Sequence, residues 1–162
     1  GLKAEGIDYK GFIFIGLMNC DGDPYVIEYN VRMGDPESEV VLPRIKTDFV
    51  EILKACAENR LKDLEIEFDD RTVTTVMMVS GGYPGSYEKG KEISGLEKVE
   101  ESVVFHAGTK EEGEKVLTNG GRVLAVSSFG KDMKEALGQS YSNAEKINFE
   151  GSYYRRDIGF DL

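Results

Sequence analysis

The sequence predicts an α+β protein, and three observations carry that class. Strand-like and helix-like patterns occur in blocks rather than in strict alternation. Two short turn signals, Asp21-Gly22 and Asn119-Gly120, each sit between β-rich runs. Two amphipathic stripes, near 49–61 and 133–144, have helical spacing.

Each element follows from local chemistry. Gly1 to Lys10 is a polar lead-in. Phe12, Ile13, Phe14, Ile15, Leu17 and Met18 form an aromatic and β-branched run, as expected of a strand buried on both faces. Cys20-Asp21-Gly22-Asp23-Pro24 is turn chemistry, since Asp-Gly supplies the positive φ of a tight hairpin. Tyr25 to Arg32 then alternates, with Val26, Glu28, Asn30 and Arg32 on one side and Ile27, Tyr29 and Val31 on the other. Asp35-Pro36-Glu37 reads as a helix start, with Asp as cap and Pro at the first position.

A second helix is expected from Thr47 or Asp48, with Phe49, Ile52, Leu53, Cys56 and Leu61 on its apolar stripe. The charged stretch from Lys62 to Arg71 is the candidate linker. Beyond it, 72–80 and 102–107 read as strands, separated by the turn Gly81-Gly82-Tyr83-Pro84-Gly85. Residues 116–118 and 122–129 flank Asn119-Gly120-Gly121 and are expected to pair as a hairpin. Asp132 to Ile147 is an amphipathic helix, and Tyr153 to Ile158 a closing strand. Two modules, 1–70 and 71–162, meet near Asp70.

Composition narrows the function classes. With 20 basic against 30 acidic residues the net charge is −10, which argues against nucleic acid or an anionic membrane as partner. The apolar fraction of 40% excludes a chain too polar to bury a core. No apolar run is long enough to cross a bilayer. Cys20 and Cys56 form neither a disulfide framework nor a zinc pattern, which suits a reducing, cytoplasmic setting. A chain beginning at Gly1, without a leader, reads as a piece of something longer.

Glu28 and Asn30 are the first candidates for chemistry. Two residues apart on a strand, they share a face about 7 Å apart at Cα. Carboxylate and amide oxygens are hard ligands of the kind Mg²⁺ takes. Arg32, two further on, would clamp an anion beside them. Spacing alone leaves a second reading open, a solvated strand face with a cross-strand ion pair. Gly34-Asp35-Pro36-Glu37 is equally a helix start or an anion site at one. His106, the single histidine, has no nucleophile beside it in sequence, which points to a structural or surface role. Lys110 and Arg122 stand at strand ends near glycines, where backbone approaches a phosphate closely; ordinary surface charge is the alternative.

A longer pattern separates these readings. Val26 to Glu37 reads V-I-E-Y-N-V-R-M-G-D-P-E, followed by G-G-Y-P-G (81–85), F-H-A-G-T-K (105–110), T-N-G-G-R-V-L (118–124) and Y-R-R-D-I-G (154–159). In this order and spacing the set resembles the C-terminal part of the phosphoribosylamine–glycine ligases, members of the ATP-grasp superfamily. The resemblance implies that 1–70 is the C-terminal portion of an ATP-grasp core, antiparallel sheet with helices, and that 71–162 is a small mixed α/β C-terminal domain.

It further implies a carbon–nitrogen ligase that joins 5-phosphoribosylamine to glycine, cleaving ATP to ADP and phosphate through an acyl phosphate, in purine biosynthesis. Glu28 and Asn30 would then be Mg²⁺ or Mn²⁺ ligands. Arg32 would stand beside them, near the transferred phosphate or the glycine carboxylate, and the Gly34 to Glu37 turn, with Asp35, would line the acyl-phosphate site. By analogy with a related formate-dependent transformylase, Lys110 and Arg122 would hold the substrate's ribose phosphate. The implied partners are the small-molecule substrates and the preceding N-terminal part of the same polypeptide, without which the segment is expected to be inactive. Many ATP-grasp relatives carry another metal-binding acid on the preceding strand, where this chain reads Phe14-Ile15-Gly16-Leu17. The rival class is a non-enzymatic, acidic α+β interaction module.

Overall fold

The computed structural model describes residues 1–160. They fold as two compact units that divide between Asp69 and Asp70. In the first unit, β1 (Phe14–Cys20) pairs antiparallel with β2 (Asp23–Asn30). Cys20 faces Asp23, so the loop is the two residues Asp21 and Gly22, at φ 53° and 95°. Two successive positive φ values match the twist of the flanking strands, which is the reason Asp-Gly is favoured there.

The ribbon departs from simple alternation. Gly16 faces Glu28 but Leu17 faces Val26, so β2 carries one extra residue and a bulge. That takes Val26 out of the row kept by Glu28 and Asn30. The expectation that β1 is buried on both faces does not hold: Ile15 is 48% and Leu17 55% exposed. A two-stranded ribbon has no third layer within its unit to cover those positions.

The helix expected at Asp35 is also corrected. Helix α1 (Ser38–Val41) is a single turn with Glu37 at its N-cap, continued by a 3₁₀ turn at Leu42–Arg44. Ser38 instead donates from both its amide and its hydroxyl to Gly34 O, at 3.0 and 2.6 Å, folding 34–38 into a tight loop. Helix α2 (Phe49–Ala57) starts as expected, with the Asp48 carboxylate accepting from Val50 N and Glu51 N. The charged stretch after it is not a loose linker. Lys46 N bonds Glu67 O, Asp69 N bonds Arg44 O, and Phe68 bridges Ile45.

The second unit holds two three-stranded sheets. In one, β3 (Thr72–Val79) and β5 (Ser102–His106) flank β8 (Arg122–Gly130). In the other, β4 (Glu92–Ile93) and β6 (Thr109–Glu112) flank β7 (Lys115–Thr118). The expected β7–β8 hairpin is therefore absent, and Asn119-Gly120-Gly121 carries the chain from one sheet to the other. Its backbone groups are taken by distant segments: Asn119 N bonds Gly108 O, and Gly120 O and Gly121 O accept from Ser80. Instead β7 forms its hairpin with β6, around Gly113 and Glu114. The closing strand expected at 153–158 reduces to a bridge between Tyr153 and Val79.

Helix α3 (Met133–Ala144) begins at Asp132, whose carboxylate accepts from Glu135 N, and packs on the β3–β8–β5 sheet. The register makes the contact layer legible. Val76, Val126 and Val104 lie side by side across the three strands, and the next row is Thr74, Ser128 and Ser102. The valines join Ala144, Leu137 and Tyr141 in the core. The hydroxyl row meets Ser140 and Asn143, both fully buried. Ser140 Oγ lies 3.0 Å from both Thr74 Oγ1 and Ser128 Oγ, and Ser128 Oγ lies 2.6 Å from Ser102 Oγ. Asn143 Nδ2 donates to Ser102 Oγ and to Glu100 O, while Asn143 Oδ1 accepts from Glu100 N.

The side-chain polar atoms of Ser140 and Asn143 are thus matched by groups on the sheet and on the Glu100 segment that leads into β5. Truncating Asn143 to Ala removes three hydrogen bonds at once: the Glu100 carbonyl keeps only Gln139 Nε2, the Ser102 hydroxyl keeps only Ser128, and Glu100 N loses its acceptor, at about 0.5–1.5 kcal/mol for each bond. Asn143→Ala is expected to destabilise the second unit by roughly 2–4 kcal/mol in denaturant unfolding. A change under 1 kcal/mol would show that the network is dispensable.

Candidate functional site

Glu28 and Asn30 keep one face of β2 on the far side of the bulge, two residues apart. Glu28 is exposed and faces Gly16, where a side chain would press on it: a Cβ at Gly16 would lie 3.2 Å from Glu28 Cγ. Sequence reading missed this role for Gly16, although a glycine inside a strand signals close approach. Asn30 faces Phe14 and is half-buried. Its Nδ2 is shut off from solvent without a hydrogen-bond partner, which leaves the amide oxygen as the atom able to reach a ligand.

The donor set accordingly offers two hard oxygens, one charged and one neutral. Among the described residues no group of three or more His, Cys, Asp or Glu side chains could hold a metal by itself. Two oxygens fit Mg²⁺ or Mn²⁺ completed by water and phosphate oxygens, and do not fit a closed structural zinc site.

Arg32 does not continue the row. The strand ends at Asn30, and the guanidinium turns back to donate to Met33 O at 2.9 Å. Gly34 is buried beneath Phe14 and Glu37: a Cβ there would lie 2.7 Å from Phe14 Cε2 and 2.5 Å from Glu37 Oε2. Phe14 therefore connects the two parts of the site, facing Asn30 across the ribbon and touching the loop that begins at Gly34. Asp35 is exposed at the head of that loop. A cavity of about 330 Å³ opens beside it, bounded by Phe12, Phe14, Met33, Gly34 and Glu37. With α1 only one turn long, the loop does not present the N-terminal amides of a full helix.

In the second unit Lys110 lies on β6 opposite Leu117, and its ammonium pairs with Glu112 at 3.0 Å. Arg122 opens β8 opposite Val79 and is half-buried. The turn before β6 and the link before β8 pass against each other. A Cβ on Gly108 would strike Arg122 O and come 2.7 Å from Gly120 Cα. Lys110 and Arg122 thus each stand two residues beyond this glycine crossing. His106 Nδ1 lies 3.0 Å from Thr109 Oγ1 on the exposed surface, consistent with a structural role. In the C-terminal motif, Arg155 grips Asp157 with two bonds of 2.9 and 3.1 Å, which holds that carboxyl below its ordinary range. Arg156 stacks over the Tyr154 ring and donates to Glu145.

Known proteins match both units. The family described as "Phosphoribosylglycinamide synthetase, C domain" matches residues 73–161. The one described as "Phosphoribosylglycinamide synthetase, ATP-grasp (A) domain" matches residues 1–38. A phosphoribosylamine–glycine ligase of Caldanaerobacter subterraneus is 50% identical over 157 residues, covering 97% of this chain and 38% of that protein. The trifunctional purine biosynthetic protein adenosine-3 of Gallus gallus is 45% identical over 99% of this chain, which is 16% of its own length. The crystal structure of a phosphoribosylamine–glycine ligase from Thermotoga maritima superimposes with a TM-score of 0.83 at 42% identity, covering 96% of this chain and 39% of that one. The chain thus spans about 38% of the length of the bacterial relative in the first of these comparisons. With one family description covering more than half its residues, the chain belongs to the phosphoribosylglycinamide synthetase family, the phosphoribosylamine–glycine ligases.

Proposed function

We propose that these residues form the C-terminal part of an ATP-dependent ligase that joins 5-phosphoribosylamine to glycine, giving glycinamide ribonucleotide, ADP and phosphate. The observation that carries this reading is the pair of ligand-ready oxygens on β2, Glu28 and Asn30, inside a chain that a phosphoribosylamine–glycine ligase relative matches over 97% of its residues. Residues 1–70 act as the end of the ATP-grasp core and 71–162 as the C-terminal domain. The setting is cytoplasmic, where Cys20 and Cys56 stay as free thiols.

Glu28 and Asn30 would hold Mg²⁺ or Mn²⁺ through their side-chain oxygens. When bound, the ion would supply neutralisation of charge on the ATP phosphates. The terminal phosphoryl passes to the glycine carboxylate. The tight loop at Gly34 and Asp35 lines the space where that acyl phosphate forms, and Arg32 supplies positive charge on release from Met33 O. The amine of phosphoribosylamine then attacks the acyl carbon and phosphate leaves. Arg122 and Lys110 bind the 5′-phosphate of phosphoribosylamine, with Arg122 giving a fork-shaped grip that a lysine cannot.

Turnover needs the nucleotide contacts that the rest of the family's length supplies. The 162 residues alone are expected to release no ADP in the presence of glycine and phosphoribosylamine, whereas the full-length ligase does. In that enzyme Glu28→Ala should abolish turnover while thermal stability barely changes, because an exposed strand carboxylate contributes little to folding. Asn30→Ala should be milder in turnover, since the amide carries no charge. Wild-type turnover of Glu28→Ala at saturating metal would overturn the metal assignment.

Arg122→Ala separates substrate binding from catalysis. A charge-assisted hydrogen bond is worth about 1.5–3 kcal/mol, so KM for phosphoribosylamine should rise roughly ten- to hundredfold. The KM values for ATP and glycine should stay within about twofold, because neither carries that phosphate. Three KM values rising together would mean that Arg122 supports the fold instead.

A further inference from the structure

The sequence G-G-Y-P-G at 81–85 has no part in the chemistry above, yet the structure packs it against the residues that precede Arg122. Ser80 donates from its amide to Gly121 O and from its hydroxyl to Gly120 O, both at 2.8 Å. Tyr83 N closes the turn by donating to Ser80 O at 3.0 Å. The Tyr83 ring then lies on the face of Gly121 where a side chain would be. A Cβ at that position would strike Cδ2 of the ring and come 2.7 Å from Cε2 and 3.1 Å from Tyr87 Cε1. Tyr87 meets Tyr83 edge to face, with centroids 6.2 Å apart. A Cβ on the neighbouring Gly120 would lie 3.0 Å from Gly108 Cα.

Gly120 and Gly121 are thus held between an aromatic ring and a second backbone, although glycine is the residue most free to rotate. We infer that Tyr83 is a positioning residue for the substrate phosphate: its ring fixes the Gly120-Gly121 link and so the direction in which Arg122 leaves the sheet. The inference rests on the reading of Arg122 as a phosphate ligand. A pivot of roughly 10° at the base of a side chain about 6 Å long moves its tip about 1 Å, enough to spoil a positioned contact. A flat ring suits this task because it has only two side-chain torsions to order and fills the place of the missing side chain at Gly121.

The test uses the full-length ligase. Tyr83→Ala and Tyr83→Leu should each raise KM for phosphoribosylamine about five- to twentyfold, with kcat and the KM values for ATP and glycine within about twofold. Tyr83→Leu keeps an apolar side chain in place, so it should do this with a melting temperature near that of the wild type. Tyr83→Phe should behave as wild type, since the ring and not the hydroxyl does the positioning. Combining Tyr83→Leu with Arg122→Ala should be no worse than Arg122→Ala alone, because both act through one contact. The inference is overturned if the three KM values rise together, if kcat falls alone, or if the double variant is additive. If Arg122→Ala leaves every KM unchanged, the phosphate assignment falls and this inference with it. If Arg122→Ala raises KM for phosphoribosylamine and the Tyr83 variants do not, only the positioning role falls.

Discussion

Strand β8 is the constraint on which the second unit depends. It lies between β3 and β5, and Val123 to Ser128 are all buried. A strand in that place must satisfy its backbone on both edges and its side chains against the helix laid over it. The β8 sequence does so in two ways. Val126 and Leu124 fill the space under α3, while Ser128 sits at the end of the row where Ser140 and Asn143 descend from the helix. Hydroxyl and amide groups in dry surroundings favour one register, because a shift along the strand would strand several donors at once. The helix is thereby tied to a single position on the sheet.

In the first unit the controlling element is the Asp21-Gly22 turn. It sets the register of β1 on β2, and the bulge opposite Gly16 then decides which β2 residues share a face. Glu28 and Asn30 end up together because they lie on the same side of that bulge. Phe14 reaches from the strand opposite Asn30 to Gly34, so the paired oxygens and the loop share one support. The absence of a Cβ matters at Gly34, where a ring and a carboxylate occupy its place.

The link at Asn119-Gly120-Gly121 shows the limit of a local signal. Asn-Gly favours a two-residue hairpin when nothing else competes for its backbone groups. Here Ser80 and Gly108 take those groups, and the chain passes to another sheet. The helix expected at Asp35 shrinks to one turn, and the amides of Glu39 and Val40 bond three residues back, to Pro36 O and Glu37 O, in place of the four-residue spacing of an α-helix. Tyr153, expected to open a closing strand, pairs with Val79 at a single bridge.

The sequence by itself determined the α+β class, the Asp-Gly hairpin, the starts of α2 and α3 at Asp48 and Asp132, and the pairing of Glu28 with Asn30. Each depends on contacts within a few residues: a turn's φ, a cap's hydrogen bond, the two-residue repeat of a strand. Tertiary structure decided the rest. Which strand β8 pairs with, the burial of Ser128, Ser140 and Asn143 and the seat of Tyr83 on Gly121 all involve groups that no short window of sequence brings together. Serine and asparagine read as surface residues until a distant partner removes the cost of burying them. A glycine likewise reads as a turn until a ring from 38 residues away comes to lie where its side chain would be.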